Sequence, residues 1–240
     1  MKDSIPTPIA VGASDHVTAA LKGLAGAAPF VGGALAELIG TVIPNQRLDR
    51  VARFAAALEA RLDRLEAESI HGKLADEQFS DLLEDALQQA ARATSEDRLE
   101  KIAELVSRSL SDNEITHSER KHLLRMLSEL SDVEVIWLGF FQKPYLDGAS
   151  TYLKRHENVL TPVRASLDSE DSELDKSTLQ ESYKAHLAQL GLLDRVLGLD
   201  RNKAPEIDRS TGDFRIKSYK LTRLGRLLLR EIGVDTTGGE

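Results

Sequence analysis

The chain has 240 residues, enough for two modest domains or one large one with a real core. Hydrophobic content of 41% and charged content of 29% are ordinary, while aromatics at 5% are scarce and Ala and Leu abundant, a mixture that favours helices packing on small and aliphatic side chains. The absence of cysteine excludes a disulfide framework, a thiol nucleophile and a thiolate metal site, and fits a reducing, cytoplasmic setting.

The formal charge of -8 is unevenly spread. From Lys176 to Gly233 twelve Lys and Arg face seven Asp and Glu, against nineteen and thirty-two elsewhere. Charge therefore changes sign along the chain, and two modules with different surroundings are expected.

Residues 1–13 read as a leader without the basic start and continuous apolar core of a secretory signal. The next stretch, HVTAALKGLAGAAPFVGGALAELIGTVIP (16–44), carries only two full charges, Lys22 and Glu37. Ser14 or Asp15 can cap a first helix to about Ala28, in which Ala19, Gly23 and Ala27 form a ridge of small side chains that lets another helix approach closely. Pro29 then opens a second helix to about Ile43, with Phe30, Leu35 and Leu38 apolar and Gly33 and Gly40 small. Each arm is about 20 Å long at ~1.5 Å per residue, whereas crossing a bilayer takes ~20 continuous apolar residues, so neither arm is a transmembrane helix. Pro29, Gly32 and Gly33 argue against one unbroken helix. Three placements stay open: a hairpin buried in the protein's own bundle, a re-entrant hairpin, or a segment peripheral at a membrane surface.

Pro44 starts a helix to about Ser69, with Val51, Phe54, Ala55, Leu58, Leu62 and Leu65 at helical spacing and a face of alternating Arg and acidic residues. Arg47, Arg50 and Arg53 read as part of that solvated face or as a basic collar at anionic lipid. Amphipathic helices follow from Asp76 to about Thr94 and from Ser95 or Glu96 to about Leu110. Two capping boxes, Thr116 with Glu119 and Ser131 with Glu134, then mark helix starts. Trp137, Phe140 and Phe141 concentrate aromatics that read as core, and a short helix is expected around 152–157.

The run TPVRASLDSEDSELDKS carries five acids and reads as a solvated linker over 161–176. Ser177 and Gln180 offer a further capping box for a helix to Leu190, with Leu179, Tyr183, Leu187 and Leu190 inward, and Gly191 ends it. A strand over 192–199, a polar turn, and alternation over 214–221 predict a hairpin, with Phe214 and Ile216 on one face and Arg215, Lys217 and Tyr219 on the other. A final helix from Thr222 to Ile232 buries Leu224, Leu227, Leu228 and Ile232.

The expected fold is mostly α: a helical bundle over 14–115 with the apolar hairpin 16–44, then a module over 116–240 that holds the β-hairpin. The helix-hairpin-helix order and the phrases LAQLGLLDR, YKLTRLGRLLL and SELSDVEVIWL resemble a winged-helix module. That resemblance implies nucleic-acid contact through the helix from Ser177 and through Lys184, Arg215, Lys217, Arg223 and Arg226. The helix offers no arginine for guanine, which speaks against base readout. In the first half, PFVGGALAELIGTVIPNQRLDRV and SEDRLEKIAELVSRSL are similar to bacterial helical proteins found near phage-defence and abortive-infection genes; no functional residue carries over from them.

Enzyme chemistry finds no foothold. The six histidines form no i,i+4 pair, no nucleophile elbow is present, and the Gly-rich run lacks the strand and Lys-Ser/Thr of a phosphate loop. No catalytic, metal or cofactor residue and no small-molecule substrate are expected. Two functions are: an antiviral-defence effector or adaptor whose hairpin engages a protein partner, a second copy or a membrane; or a nucleic-acid-binding regulator using the basic C-terminal module.

Overall fold

The computed structural model describes residues 47–65, 76–111, 114–142, 148–163, 169–208 and 212–234. The eight hairpin positions singled out from Ala19 to Gly40 lie outside them. Nine helices and one two-stranded antiparallel sheet occur among the described residues, so the chain is mostly helical. No described helix is long and apolar enough to cross a membrane. The chain divides into two compact units, 1–128 with 231–233, and 129–230 with the residues from 234 onward.

In the first unit α1 (Leu48–Leu62) packs against α2 (Glu77–Arg92) and α3 (Glu96–Ser111). Val51, Phe54, Ala55, Leu58 and Leu62 recur at helical spacing on α1 and all are buried. Each fully buried Leu or Phe contributes roughly 1.5–3 kcal/mol, which makes this stripe the main reason the helix holds its place. The helix ends at Leu62, short of the expected Ser69. Its arginines bond along their own helix to carbonyls, Arg53 to Asp49 and Arg61 to Ala57, and reach carboxylates on α3. Arg53 Nη1 reaches Glu96 Oε2 at 2.9 Å, and Arg61 reaches Glu100 at 2.6 Å and Glu104 at 3.0 Å, all on α3. Arg50 donates to the Ala91 carbonyl at 3.5 Å. Of the expected basic collar, Arg50 and Arg53 are thus both engaged within the unit.

Local signals set the helix starts. Asp76 accepts from Gln78 N at 3.1 Å to cap α2, and Ser95 Oγ accepts from Arg98 N at 3.1 Å ahead of α3. In α4 (His117–Glu129) the capping box is complete: Thr116 N donates to Glu119 Oε2 at 2.7 Å and Glu119 N donates back to Thr116 Oγ1 at 3.4 Å. His117 Nε2 lies 2.9 Å from Asp81 Oδ2 on α2. The buried Arg120 donates to Glu231 Oε2 at 3.0 Å and Arg98 to the Leu127 carbonyl at 2.8 Å.

In the second unit α5 (Asp132–Gln142) lies against α6 (Gly148–Arg155), α7 (Glu157–Leu160) and α8 (Asp171–Gln189). α8 corrects the sequence reading in two ways. It begins at Asp171, six residues before Ser177, so the last six residues of the expected linker are helix. The reason is electrostatic: Asp171 and Glu173 in its first turn complement the positive end of the helix dipole. Ser177 therefore lies inside the helix, and Gln180 spends its amide elsewhere. Leu179 is exposed rather than inward, and Leu187 is the helix's buried residue.

Strand β1 (Leu193–Leu197) then pairs antiparallel with β2 (Ile216–Leu221), and α9 (Arg223–Glu231) follows, with Thr222 Oγ1 accepting from Gly225 N at 3.0 Å. α9 buries Leu228 and Leu229, and Ile232 just after it is buried too; Leu224 and Leu227, expected inside, are only half-buried. Gly191 closes α8 with φ 72°, a left-handed conformation that suits glycine.

Candidate functional site

The feature that stands out is the outer half of the β-hairpin. Beyond Leu197 the two strands fork, and the segment 204–208 enters between them. Glu206 N donates to the Gly198 carbonyl at 2.9 Å, Arg215 N to the Glu206 carbonyl at 2.7 Å, and Gly198 N to the Arg215 carbonyl at 2.7 Å. Bridges join Leu199 to Pro205 and Ile207 to Phe214. Two tight turns close the tip. In one, Asp200 Oδ1 accepts from Asn202 N at 2.8 Å and Ala204 N at 2.9 Å while Lys203 takes φ 63°; in the other, Gly212 takes φ 77°.

Strand alternation then sorts the side chains. Residues opposite each other, or two apart, share a face. Leu197, Leu199, Pro205, Ile207, Phe214 and Ile216 therefore fall on one face, and Gly198, Glu206 and Arg215 on the other. The second face is polar: Arg215 Nη1 sits 3.2 Å from Glu206 Oε1, and a Cβ on Gly198 would meet the Glu206 carboxylate at 3.2 Å.

The apolar face is covered at its base and bare at its tip. Leu193 is 2% exposed, whereas Ile216 is 38%, Phe214 56%, and Leu199 and Ile207 each 59% exposed. The covering at the base is aromatic. Tyr219 lies 6.1 Å from Phe141, which stacks in turn with Phe140 and Trp137, and Lys184 Nζ stands 5.4 Å over the Trp137 ring and 6.0 Å over that of Tyr219. Burial, helped by the nearby negative charge of Glu181, raises the Tyr219 hydroxyl above its ordinary pKa.

Tyr219 was expected beside Arg215 and Lys217 on the wet face. A bulge overturns this: Val196 pairs with Ser218 but Leu197 with Ile216, leaving Lys217 unpaired and reversing the alternation beyond it. Tyr219 thus joins the face of Ile216. Phe214 and Ile216 have the expected common face, but it is solvent that meets them.

Three of the cations expected at nucleic acid are already engaged. Lys184 pairs with Glu181 and sits over two rings, Arg215 pairs with Glu206, and Arg226 donates to the Leu221 carbonyl at 3.0 Å. Lys217 and Arg223 are exposed and have no hydrogen bond or ion pair to a described residue. The sequence reading missed Leu199 and Ile207. The alternation at 197–199 and 205–207 carried the signal, masked by the Pro and Asp residues that made 205–212 read as a plain turn. Among the described residues no group of three or more His, Asp or Glu could hold a metal ion. The chain matches no protein-family model, no curated protein and no solved structure.

Proposed function

We propose that this chain is a non-enzymatic adaptor that binds a protein partner through the apolar face of its β-hairpin tip. One observation carries the reading: Leu199, Ile207, Phe214 and Ile216 share one face of a hydrogen-bonded β element and stand open to solvent. Contiguous exposed apolar surface on a rigid support marks interaction sites, since leaving it in water forgoes the gain of burial. The helix-hairpin-helix order of α8, β1–β2 and α9 supports describing residues 171–231 as winged-helix-like, with the wing serving as the docking element. A place in bacterial antiviral defence, and a membrane or partner role for segment 16–44, rest on the sequence alone.

Site-specific photocrosslinking in cells tests this. A benzophenone side chain at position 214 should yield one discrete adduct that Ile207→Asp abolishes, while the same group at Lys220 should yield none. A smear of adducts, or equal adducts from both positions, would sink the reading.

A second reading, a nucleic-acid-binding regulator, is favoured by the exposed Lys217 and Arg223. Against it, the exposed first half of α8 presents Asp171, Glu173 and Asp175, which repel phosphate. That reading expects DNA or RNA binding that falls steeply with salt and is lost in Lys217→Glu/Arg223→Glu. Binding unaffected by both changes would remove it.

A further inference from the structure

A second surface feature, sharing no residue with the hairpin tip, lies within the same unit. An open groove of about 770 Å³ runs between α5, the corner joining α6 to α7, and α8. Its geometry is built by one side chain. Gln180 Oε1 accepts from Val163 N at 3.2 Å, and Gln180 Nε2 donates to the carbonyls of Thr161 at 2.8 Å and Val159 at 3.3 Å. These bonds tie the segment after α7 to α8 and satisfy its backbone, so the walls are fixed before anything binds.

The groove's chemistry is two-part. Val133, Val159, Leu179 and Tyr183 give it apolar lining, and Leu179 remains 52% exposed. Lys154 and Arg155 stand at one side and Lys176 at the other, against Glu157 as the lining's one carboxylate. None of the three cations pairs with a described carboxylate, although the chain as a whole carries a charge of -8. Lys176, Leu179, Gln180 and Tyr183 fall at i, i+3, i+4 and i+7, one stripe of α8. Glu173 and Asp175 border that stripe without lining the groove, and Asp171 and Glu181 lie farther round the helix.

We infer that this groove docks an acidic segment of a partner protein, one that sets aliphatic side chains between carboxylates. The aliphatic groups cover Leu179 and the valines, and carboxylates on either side meet Lys154, Arg155 and Lys176. Cations on two opposed walls call for an occupant with more than one negative charge, and a concave floor of this kind does not fit a flat lipid surface. An oligonucleotide would satisfy the cations and leave the aliphatic floor wet.

The test is fluorescence anisotropy on the full chain with a labelled peptide of alternating leucine and glutamate. That peptide should bind, a leucine-lysine peptide should not, and added salt should weaken the complex. Lys154→Glu/Arg155→Glu/Lys176→Glu should weaken binding about tenfold or more, and Leu179→Ser should weaken it with little change in salt dependence. All four positions are exposed, and circular dichroism should report unchanged helix content. Phe214→Ser should leave this binding intact, which separates the groove from the hairpin tip. Failure of the acidic peptide to bind, binding indifferent to the triple reversal, or tighter binding of a short oligothymidylate would each overturn the inference.

Discussion

His186 Nδ1 on α8 lies 2.6 Å from Oε1 of Glu134, whose other oxygen, Oε2, accepts from Ser131 N at 2.7 Å and from Ser131 Oγ at 2.8 Å. A single carboxylate thus completes the start of α5 and ties that helix to α8, 52 residues on. Residues that cap a helix and also bridge to another are costly to lose, because both orphaned ends are left in a half-buried place.

Glu134→Ala should therefore destabilise the second unit by about 2 kcal/mol, the sum expected for a lost cap and a lost tertiary bond. Trp137 is the chain's one tryptophan and lies on α5, so its emission in a urea titration reads that unit directly. An unchanged midpoint would mean that the cap and the histidine contact contribute nothing.

Arg120 and Glu231 form a buried pair, with side chains 3% and 0% exposed. Removing one partner deprives the other, buried charge of its ion pair, and Arg120→Met should cost about 3–5 kcal/mol. The double change Arg120→Met/Glu231→Met should recover most of that loss. Far-UV circular dichroism against urea measures both; additive losses in the double variant would show that the pair is not the coupling.

The first unit should also be sensitive to pH at Asp81. Its hydrogen bond from Lys121, with His117 beside it, holds its carboxyl below the ordinary 3.8, while Asp81 in turn raises Lys121 above the ordinary 10.5. A lowered carboxyl gives stability that is present above pH 3.8 and lost as pH falls through the lower folded value; a raised amine gives stability that is present below pH 10.5 and lost as pH rises through the higher one. The gap between the wild type and Asp81→Asn should therefore persist at neutral pH and close at both extremes. Asp81 is half exposed and the gap correspondingly small, so matched thermal melts across pH are the measurement.

Gly225 is buried on α9, and a Cβ there would meet the Leu192 carbonyl and Leu221 Cδ1. Alanine is the better helix former by about 1 kcal/mol, but a backbone carbonyl cannot swing aside as a side chain can. Gly225→Ala should be net destabilising by roughly 1–3 kcal/mol. A raised melting temperature would show that α9 can back away from the start of β1 without loss.

What the sequence made legible was short in range. Both capping boxes at Thr116 and Ser131, the Asp76 cap and the apolar stripe of α1 follow from residues within a turn or two of each other. What it concealed depended on distant partners. Ser177 with Gln180 has the capping pattern, yet Gln180 gains more by holding Val163, because Asp171 and Glu173 had already begun the helix. The Lys217 bulge depends on how two strands register, which neither strand declares alone. The bare tip was concealed for the same reason: Phe214 and Ile216 alternate as a buried strand would, and only the placement of α5 decides that the covering stops near Tyr219.

The pairing of Arg120 with Glu231 also sets an order of events during synthesis. The two residues are 111 positions apart, so at ~5–20 residues per second a growing chain exposes Arg120 roughly 5–20 s before its partner leaves the ribosome. Through that interval α4 carries a guanidinium whose buried carboxylate partner has yet to be made. The first unit therefore completes this buried ion pair only after both strands of the hairpin have been made.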